Sequence, residues 1–554
     1  MAKHDVIVIG SGAGGAAFAW TLCAHGVDVL LLEAGPSYNP FKDYLLEKET
    51  WEQRLFPVKK KPEPTHVFAP MQSLDSRHDA LRSWNANNGR MNRGNRRRVH
   101  AYHHVQGVGG STLHFTAEAH RLHPDSMQMR TRYGVSADWP FDYAELEPYY
   151  DRIERFVGVA GPNPGLGEDK DRWRSRPYPL PHHPLSYASK MLEAAFRKLD
   201  MSLEVNPVAI LSQPHNGRPE CNYCGNCIRG CPRTDKGSAD VTFIAQALGT
   251  GKLTLRSRSS VFRLEAGEDD RVKEVLYKDA ENQIQRTSAR AVVVACGAVL
   301  TPRLLLASDG LANESGLVRR NLMETSFWAA SGLSDDALGS HRGIPSDGVC
   351  WDFTGPGAIP NVIGGCRFTT GAGTVDFLGP ISYARRIVSG WGRKHKKGMR
   401  AAFGNAVAIG SIGESLPNDK TYVDLDPKKK DSNGVPLARI HSHLDEMEIA
   451  RLEFMAGRCR DILKAVGNVE LIEEYGSYDF FSSTHVFGTC RMGLDPEASV
   501  VDPHGRSHRW RNLFIADASV FPSSGGGESP SLTIESLSTR SADFLANLLE
   551  RREL

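Results

Sequence analysis

The sequence predicts an α/β protein with a Rossmann-type dinucleotide-binding domain at its start, and three observations carry that prediction. The chain opens on a short apolar strand, a glycine turn, an alanine-rich helix and a second strand that ends in an acid. Its 554 residues, 40% hydrophobic and 24% charged, suffice for one large two-domain body or several small modules and exclude disordered and fibrous classes. No stretch approaches the roughly 18 consecutive apolar residues of a membrane span, and no repeat or low-complexity linker interrupts the chain.

In Asp5-Val-Ile-Val-Ile-Gly10-Ser-Gly12-Ala-Gly14-Gly15 the apolar run makes the first strand, and the helix that follows extends to His25. Val27 to Leu32 makes the second strand, ending in Glu33. Gly10 permits the tight turn, Gly12 lets the backbone approach a pyrophosphate, and Gly15 allows close packing of helix on strand. The helix N-terminus offers unpaired N–H groups to phosphate. Glu33, eighteen residues after Gly15, is placed to accept from a ribose hydroxyl. This unit implies an adenine dinucleotide without choosing between FAD and NAD.

With 67 Lys and Arg against 65 Asp and Glu, the net charge of +2 gives no global field for nucleic acid or an anionic membrane. Any charged partner must be recognised locally. Residues 50–100 are polar, with Lys59-Lys60-Lys61, Arg90 and Arg96-Arg97-Arg98, and read as a solvated basic face or a docking patch. The first residues run straight into a strand rather than through a signal peptide, so no export signal is expected in the chain itself.

Four of the ten cysteines crowd together in Cys221-Asn-Tyr-Cys224-Gly-Asn-Cys227-Ile-Arg-Gly-Cys231-Pro232, which fits the C-x2-C-x2-C-x3-C-P run of bacterial ferredoxins. Tight glycine-containing loops let several thiolates converge on one inorganic core, whereas structural zinc normally uses two ligand pairs set further apart. With no second run in the chain, the spacing fits a [4Fe–4S] cluster on all four or a [3Fe–4S] cluster on three. Zinc is one alternative. Disulfides or free thiols are the other, favoured by export to an oxidising compartment.

Later segments narrow the cofactor. Gly107-Val-Gly109-Gly110-Ser111-Thr112-Leu-His114 forms a second glycine-rich loop, and Ala291 to Ser308 (AVVVACGAVLTPRLLLAS) follows further on. Near the C-terminus stand His485-Val-Phe-Gly488-Thr489-Cys490-Arg491-Met492-Gly493, Asn512-Leu-Phe-Ile-Ala-Asp517-Ala-Ser-Val-Phe-Pro522 and Ser529-Pro530-Ser-Leu-Thr-Ile534. Together these resemble the glucose-methanol-choline (GMC) oxidoreductase family over nearly the whole chain. The resemblance implies FAD as cofactor, contacted by Gly109, Gly110, Ser111, His114, Val261, Asp517 and Ala518 besides the first loop and Glu33. It also implies an FAD domain assembled from residues 1–150, 205–310 and 480–554, with the cysteine run as an insert at 221–232. The remainder, 151–204 and 311–479, is expected to form a substrate domain with an antiparallel sheet and covering helices. Apolar runs at Ala406 to Ile409 and Tyr422 to Leu425, with a turn at Asp431-Ser-Asn433-Gly434, fit that sheet.

Oxidising an alcohol to a carbonyl removes a proton from oxygen and a hydride from carbon, so the site needs a base near the hydroxyl and the flavin near the carbon. His485 matches the family's catalytic histidine, the expected base. Where the family places a second His or Asn just before a proline, this chain has Ser529, preceded by Glu528. Either side chain can orient a hydroxyl. His114 stands where some members carry a histidine bonded covalently to the flavin, the alternative being a histidine packed on the flavin edge. His103, His104, His120 and His123 read as structural or pocket residues.

Similar cysteine-rich inserts occur in family members such as glucoside 3-dehydrogenases, gluconate 2-dehydrogenases and bacterial FAD glucose dehydrogenases. The resemblance therefore implies the large subunit of a sugar or glycoside dehydrogenase, with a small subunit and a cytochrome-type acceptor. The compartment is the periplasm, by co-export with that subunit, or the cytoplasm. The alternatives are an alcohol or sugar oxidase that releases hydrogen peroxide, and a non-catalytic flavin-bearing subunit.

Overall fold

The computed structural model describes residues 4–44, 64–162, 173–371 and 380–554. Lys59, Lys60 and Lys61 lie outside the described residues. The first strand, Val6–Ile9, is the centre of a five-stranded sheet in the order Leu253–Arg256, Val29–Leu32, Val6–Ile9, Ala291–Val294 and Leu513–Ile515. All four pairings are parallel, with Val6 opposite both Val29 and Ala291. Strands buried on both faces read as unbroken apolar runs, which is why VIVI, VLLL and AVVV do not alternate. Helix Ala13–Ala24 packs against the C-terminal helix Ser531–Glu550, which in turn packs against Tyr143–Val157. The two ends of the chain thus share one core.

An eight-stranded antiparallel sheet forms the second layer. It runs in the order Gly89–Arg90, Trp84–Asn85, Val469–Gly476, Ser326–Ser334, Ala406–Gly413, Cys366–Thr370, Gly348–Cys350 and Glu204–Val205. Helix Glu446–Val466 covers it, entering through a capping box in which Asp445 and Glu448 each accept from the other's backbone N–H. Its Leu452, Met455, Cys459 and Ile462 pack with Trp328, Phe368, Val407 and Ile409 of the sheet. The expected α/β architecture, a parallel dinucleotide sheet beside an antiparallel one, is therefore what the chain adopts. Among the described residues no helix is long and apolar enough to cross a membrane.

Three details depart from the sequence reading. Trp84–Asn85 and Gly89–Arg90, from the segment assigned to the FAD domain, form one edge of the antiparallel sheet. The hairpin Tyr422–Lys430 and Pro436–His441 turns at Asp431–Gly434 as expected, but it pairs with His66–Phe68 in a separate sheet. It is held there by Arg303 of helix Gly297–Ala307, which donates to Pro436 O at 2.8 Å and to Asp431 Oδ2 at 2.6 Å. Arg97 belongs to no solvated face: it is 3% exposed and donates to Glu324 Oε1, Ser442 Oγ and Ser477 O.

Candidate active site

The first glycine loop is shaped as a cradle. Gly10 holds φ +96°, and a Cβ there would stand 2.4 Å from Ala295 O. A Cβ on Gly15 would stand 2.0 Å from Gly10 O, so helix and strand close only on glycine. A Cβ on Gly12 would meet nothing within 4 Å, and Gly12 caps the helix without a side-chain bond to its first turn. The loop therefore presents bare backbone N–H groups to open space, the arrangement a pyrophosphate needs.

The second loop packs on the first. Gly109 N donates to Ser11 Oγ at 3.2 Å, and a Cβ on Gly110 would stand 2.7 Å from Gly12 Cα. Ser111 Oγ accepts weakly from Val105 N at 3.4 Å. Glu33 accepts from Ser11 N and Oγ and from Gly35 N at 3.0, 2.6 and 2.8 Å, and burial pushes its carboxyl pKa up. Ser259, two residues before Val261, donates through its N–H to Glu33 O. Asp517 accepts from Gly297 N and Thr301 Oγ1 at 2.9 and 2.6 Å and caps the short turn that Ala518 begins. These residues fit a bound dinucleotide.

His485 lies between strands Phe480–Ser483 and Val486–Phe487. Its Nδ1 is buried without a hydrogen-bond partner. Burial pushes its pKa down to about 4; the Arg367 guanidinium adds to that and the Glu118 carboxylate opposes it. The imidazole is therefore neutral at working pH, as a base must be. Arg367, fully buried on Cys366–Thr370, grips Glu118 with two bonds at 3.0 and 2.7 Å and donates to Gly527 O at 2.6 Å. Burial alone would raise the Glu118 pKa, but Arg367 outweighs it and holds that carboxyl well below the usual range.

Ser529 and Glu528 part company here. Ser529 Oγ donates to Glu118 Oε2 at 2.9 Å, and Ser529 N donates to His120 Nδ1 at 3.0 Å. His120 Nε2 then bonds Asn206 Oδ1 at 2.8 Å, and Asn206 Nδ2 returns to Glu118 Oε1 at 2.9 Å. Ser529 is thus committed to a closed polar network. Glu528 Oε1 accepts from His123 N at 3.2 Å, while its buried Oε2 has no partner. Burial, with the Glu414 carboxylate adding to it, pushes the Glu528 pKa up to about 7.

Sequence reasoning missed Glu118 and Arg367, while His120, read as a structural or pocket residue, joins their network. One signal was present: a lone arginine inside the buried strand CRFTT requires a buried anion.

Glu414 shows the same burial, with its pKa pushed up to about 7 and Oε1 unpartnered. A carboxyl whose folded pKa exceeds its unfolded value stabilises the protein fully below about pH 4.5, and that contribution disappears as pH rises through 7. Glu414→Gln is expected to remove a dependence on the order of 2–3 kcal/mol between those limits. Urea unfolding at pH 5 and pH 8 checks it, and an unchanged difference between the two pH values would sink the assignment.

His114 follows the short helix Gly110–Leu113, and burial, with Lys236 adding to it, pushes its pKa down to about 3. Fully buried Lys236 ties this loop to the cysteine run, donating to Leu113 O, Phe115 O and Cys227 O at 2.9, 3.3 and 2.7 Å.

All ten cysteines are free thiols. Burial pushes Cys221 and Cys231 up to about 12 and about 11 and raises Cys224 and Cys227 as well. Cys231 Sγ donates to Asp235 Oδ1 at 3.2 Å, and Cys221 Sγ accepts from Tyr223 N at 3.3 Å. Among the described residues no group of three or more His, Cys, Asp or Glu side chains stands where it would hold a metal ion. As they stand, the four thiols do not form a ligand set.

Against known proteins, two family models described as GMC oxidoreductase match residues 7–325 and 417–538. The fructose dehydrogenase large subunit of Gluconobacter japonicus is 29% identical over 99% of this chain and 98% of its own length. The 6'''-hydroxyparomomycin C oxidase of Streptomyces lividus is 30% identical over 98% of this chain and 92% of its own. Among solved structures, formate oxidase of Aspergillus oryzae superposes with a TM-score of 0.68 at 15% identity, covering all of both chains.

Proposed function

The chain belongs to the GMC oxidoreductase family and is an FAD-dependent oxidoreductase of CH–OH donors, and from that premise we propose that it is a sugar or glycoside dehydrogenase passing electrons to an acceptor other than oxygen. The observation that carries the oxidation of a hydroxyl is His485, a neutral imidazole with a buried, unpartnered Nδ1 beside the Glu118–Arg367 pair. The bound flavin supplies a two-electron acceptor for the hydride leaving the carbinol carbon. His485 takes the hydroxyl proton. Arg367, Glu118, Ser529 and His120 form the polar wall of the site, and Glu528, with Oε2 unbonded, is the group left to orient the substrate hydroxyl. The sugar class is supported by the relative named as a fructose dehydrogenase large subunit, and that name also supports a partner subunit.

The cysteine spacing supports a [3Fe–4S] or [4Fe–4S] cluster on Cys221, Cys224, Cys227 and Cys231, although their present arrangement supplies no ligand set. Protein purified without air is expected to hold about three or four iron and as many acid-labile sulfide per flavin. Stoichiometric flavin with neither would remove the cluster and favour the second reading, an oxidase, which the 30% identical Streptomyces oxidase supports. Hydrogen peroxide formed in step with substrate would then identify it. Flavin retained or released on acid precipitation distinguishes a His114 bond from packing alone. Co-purification reads the small subunit and its cytochrome-type acceptor, and cell fractionation separates periplasm from cytoplasm.

A further inference from the structure

Although the whole chain is near neutrality, residues 380–413 hold seven Arg and Lys and no Asp or Glu. Five of these cations, Arg393, Lys394, Lys396, Lys397 and Arg400, stand exposed on helix Gly392–Ala402, and none makes an ion pair among the described residues. The inner face of this helix is fixed: Ala402 and Met399 pack with Tyr383, Ile387 and Phe403. At its head Trp391 is 89% exposed.

Local physics opposes this arrangement. Arg393 pairs with Lys396 and Lys397 at i,i+3 and i,i+4, and Arg400 meets the same two lysines from the other side, all like charges. Arg393 and Lys394 also sit in the first turn, at the positive end of the helix dipole, where no acid offsets them. Where a helix breaks these rules with no ion pair among the described residues to offset them, a functional reason is expected.

We propose that helix Gly392–Ala402, with Trp391, is a docking face for an anionic lipid surface. Lysine-rich clusters are favoured at charged bilayers and depleted at protein interfaces. An exposed indole suits the headgroup region, where its ring is buried and its N–H stays wet. Since no described helix is long and apolar enough to cross the bilayer, the attachment is peripheral.

Flotation of the holoenzyme with phosphatidylcholine vesicles, with and without phosphatidylglycerol, tests this. Binding is expected only with phosphatidylglycerol, and it should be lost between about 0.1 M and about 1 M salt. Each cation is expected to contribute roughly fivefold, so the triple change Lys394→Gln, Lys396→Gln, Lys397→Gln should weaken partitioning by roughly 100-fold. Trp391→Ala should weaken it independently of salt. All these variants should keep wild-type turnover with a soluble acceptor. The matched triple change at the exposed residues Lys428, Lys429 and Lys430 should leave binding intact. Equal binding to neutral vesicles, an equal loss in both triple variants, or attachment only to an acidic protein would each overturn the proposal.

Discussion

His485→Ala is expected to slow anaerobic reduction of the bound flavin by about 100- to 10,000-fold, the usual span for losing a positioned base. Flavin content should not change, because the cradle at Gly10, Gly12 and Gly15 and the loop at Gly109 and Gly110 lie on other segments. The pH profile separates lost catalysis from lost structure. With its pKa pushed down to about 4, His485 is unprotonated through neutrality, so kcat/KM in the parent should show an acid limb as pH drops through that value, distinct from any change near 7 where Glu528 ionises. In the variant that acid limb should vanish, leaving a slow reaction whose remaining pH dependence is that of Glu528 near 7. Stopped-flow bleaching of the flavin across pH checks both. Ordinary turnover, or the same limb in the variant, would remove His485 from the role of base.

What the sequence made legible was what neighbouring residues decide among themselves. The strand, turn and helix from Val6 to Ala24 need only an apolar run and three glycines, and the turn at Asp431–Gly434 needs only its Asx bonds and one glycine at φ +77°. Partners distant in sequence were hidden. Trp84–Asn85 is two residues long, too short for any periodicity, and joins its sheet only because Val469–Gly476 offers an edge. The hairpin's destination depended on Arg303, about 130 positions away. The same limit applied to the site. Motif resemblance pointed to His485 and Ser529, but the commitment of the Ser529 hydroxyl to Glu118 depends on a carboxylate 411 positions earlier. Arg367 came closest to being readable, since a cation in a buried strand demands a partner, yet nothing local says which.

That pair gives the second large effect. Arg367→Met should destabilise the protein by about 3–5 kcal/mol, because it strands a buried carboxylate rather than merely deleting a bond. Glu118 would keep its bonds from Ser346, Asn206 and Ser529 but lose the one cation paired with it among the described residues. In the parent, the depressed Glu118 pKa makes the pair's contribution complete above the ordinary carboxyl value and lost as pH falls well below it. Urea unfolding should therefore show an acid-side loss in the parent that is missing from Arg367→Met. Adding Glu118→Gln removes the stranded charge and should restore part of the stability. Activity should not follow, since the glutamine no longer accepts from Ser529 and Asn206 as a carboxylate does, and His120 is placed through those two residues. Removing the guanidinium takes away the larger of two opposed charges acting on His485, so the acid limb of kcat/KM should move upward in pH in Arg367→Met, and by less in the double variant, which also loses the opposing Glu118 carboxylate. A double variant that regains stability but not rate, with its limb shifted, assigns the pair to positioning the base. If rate returned together with stability, the pair would hold the fold alone.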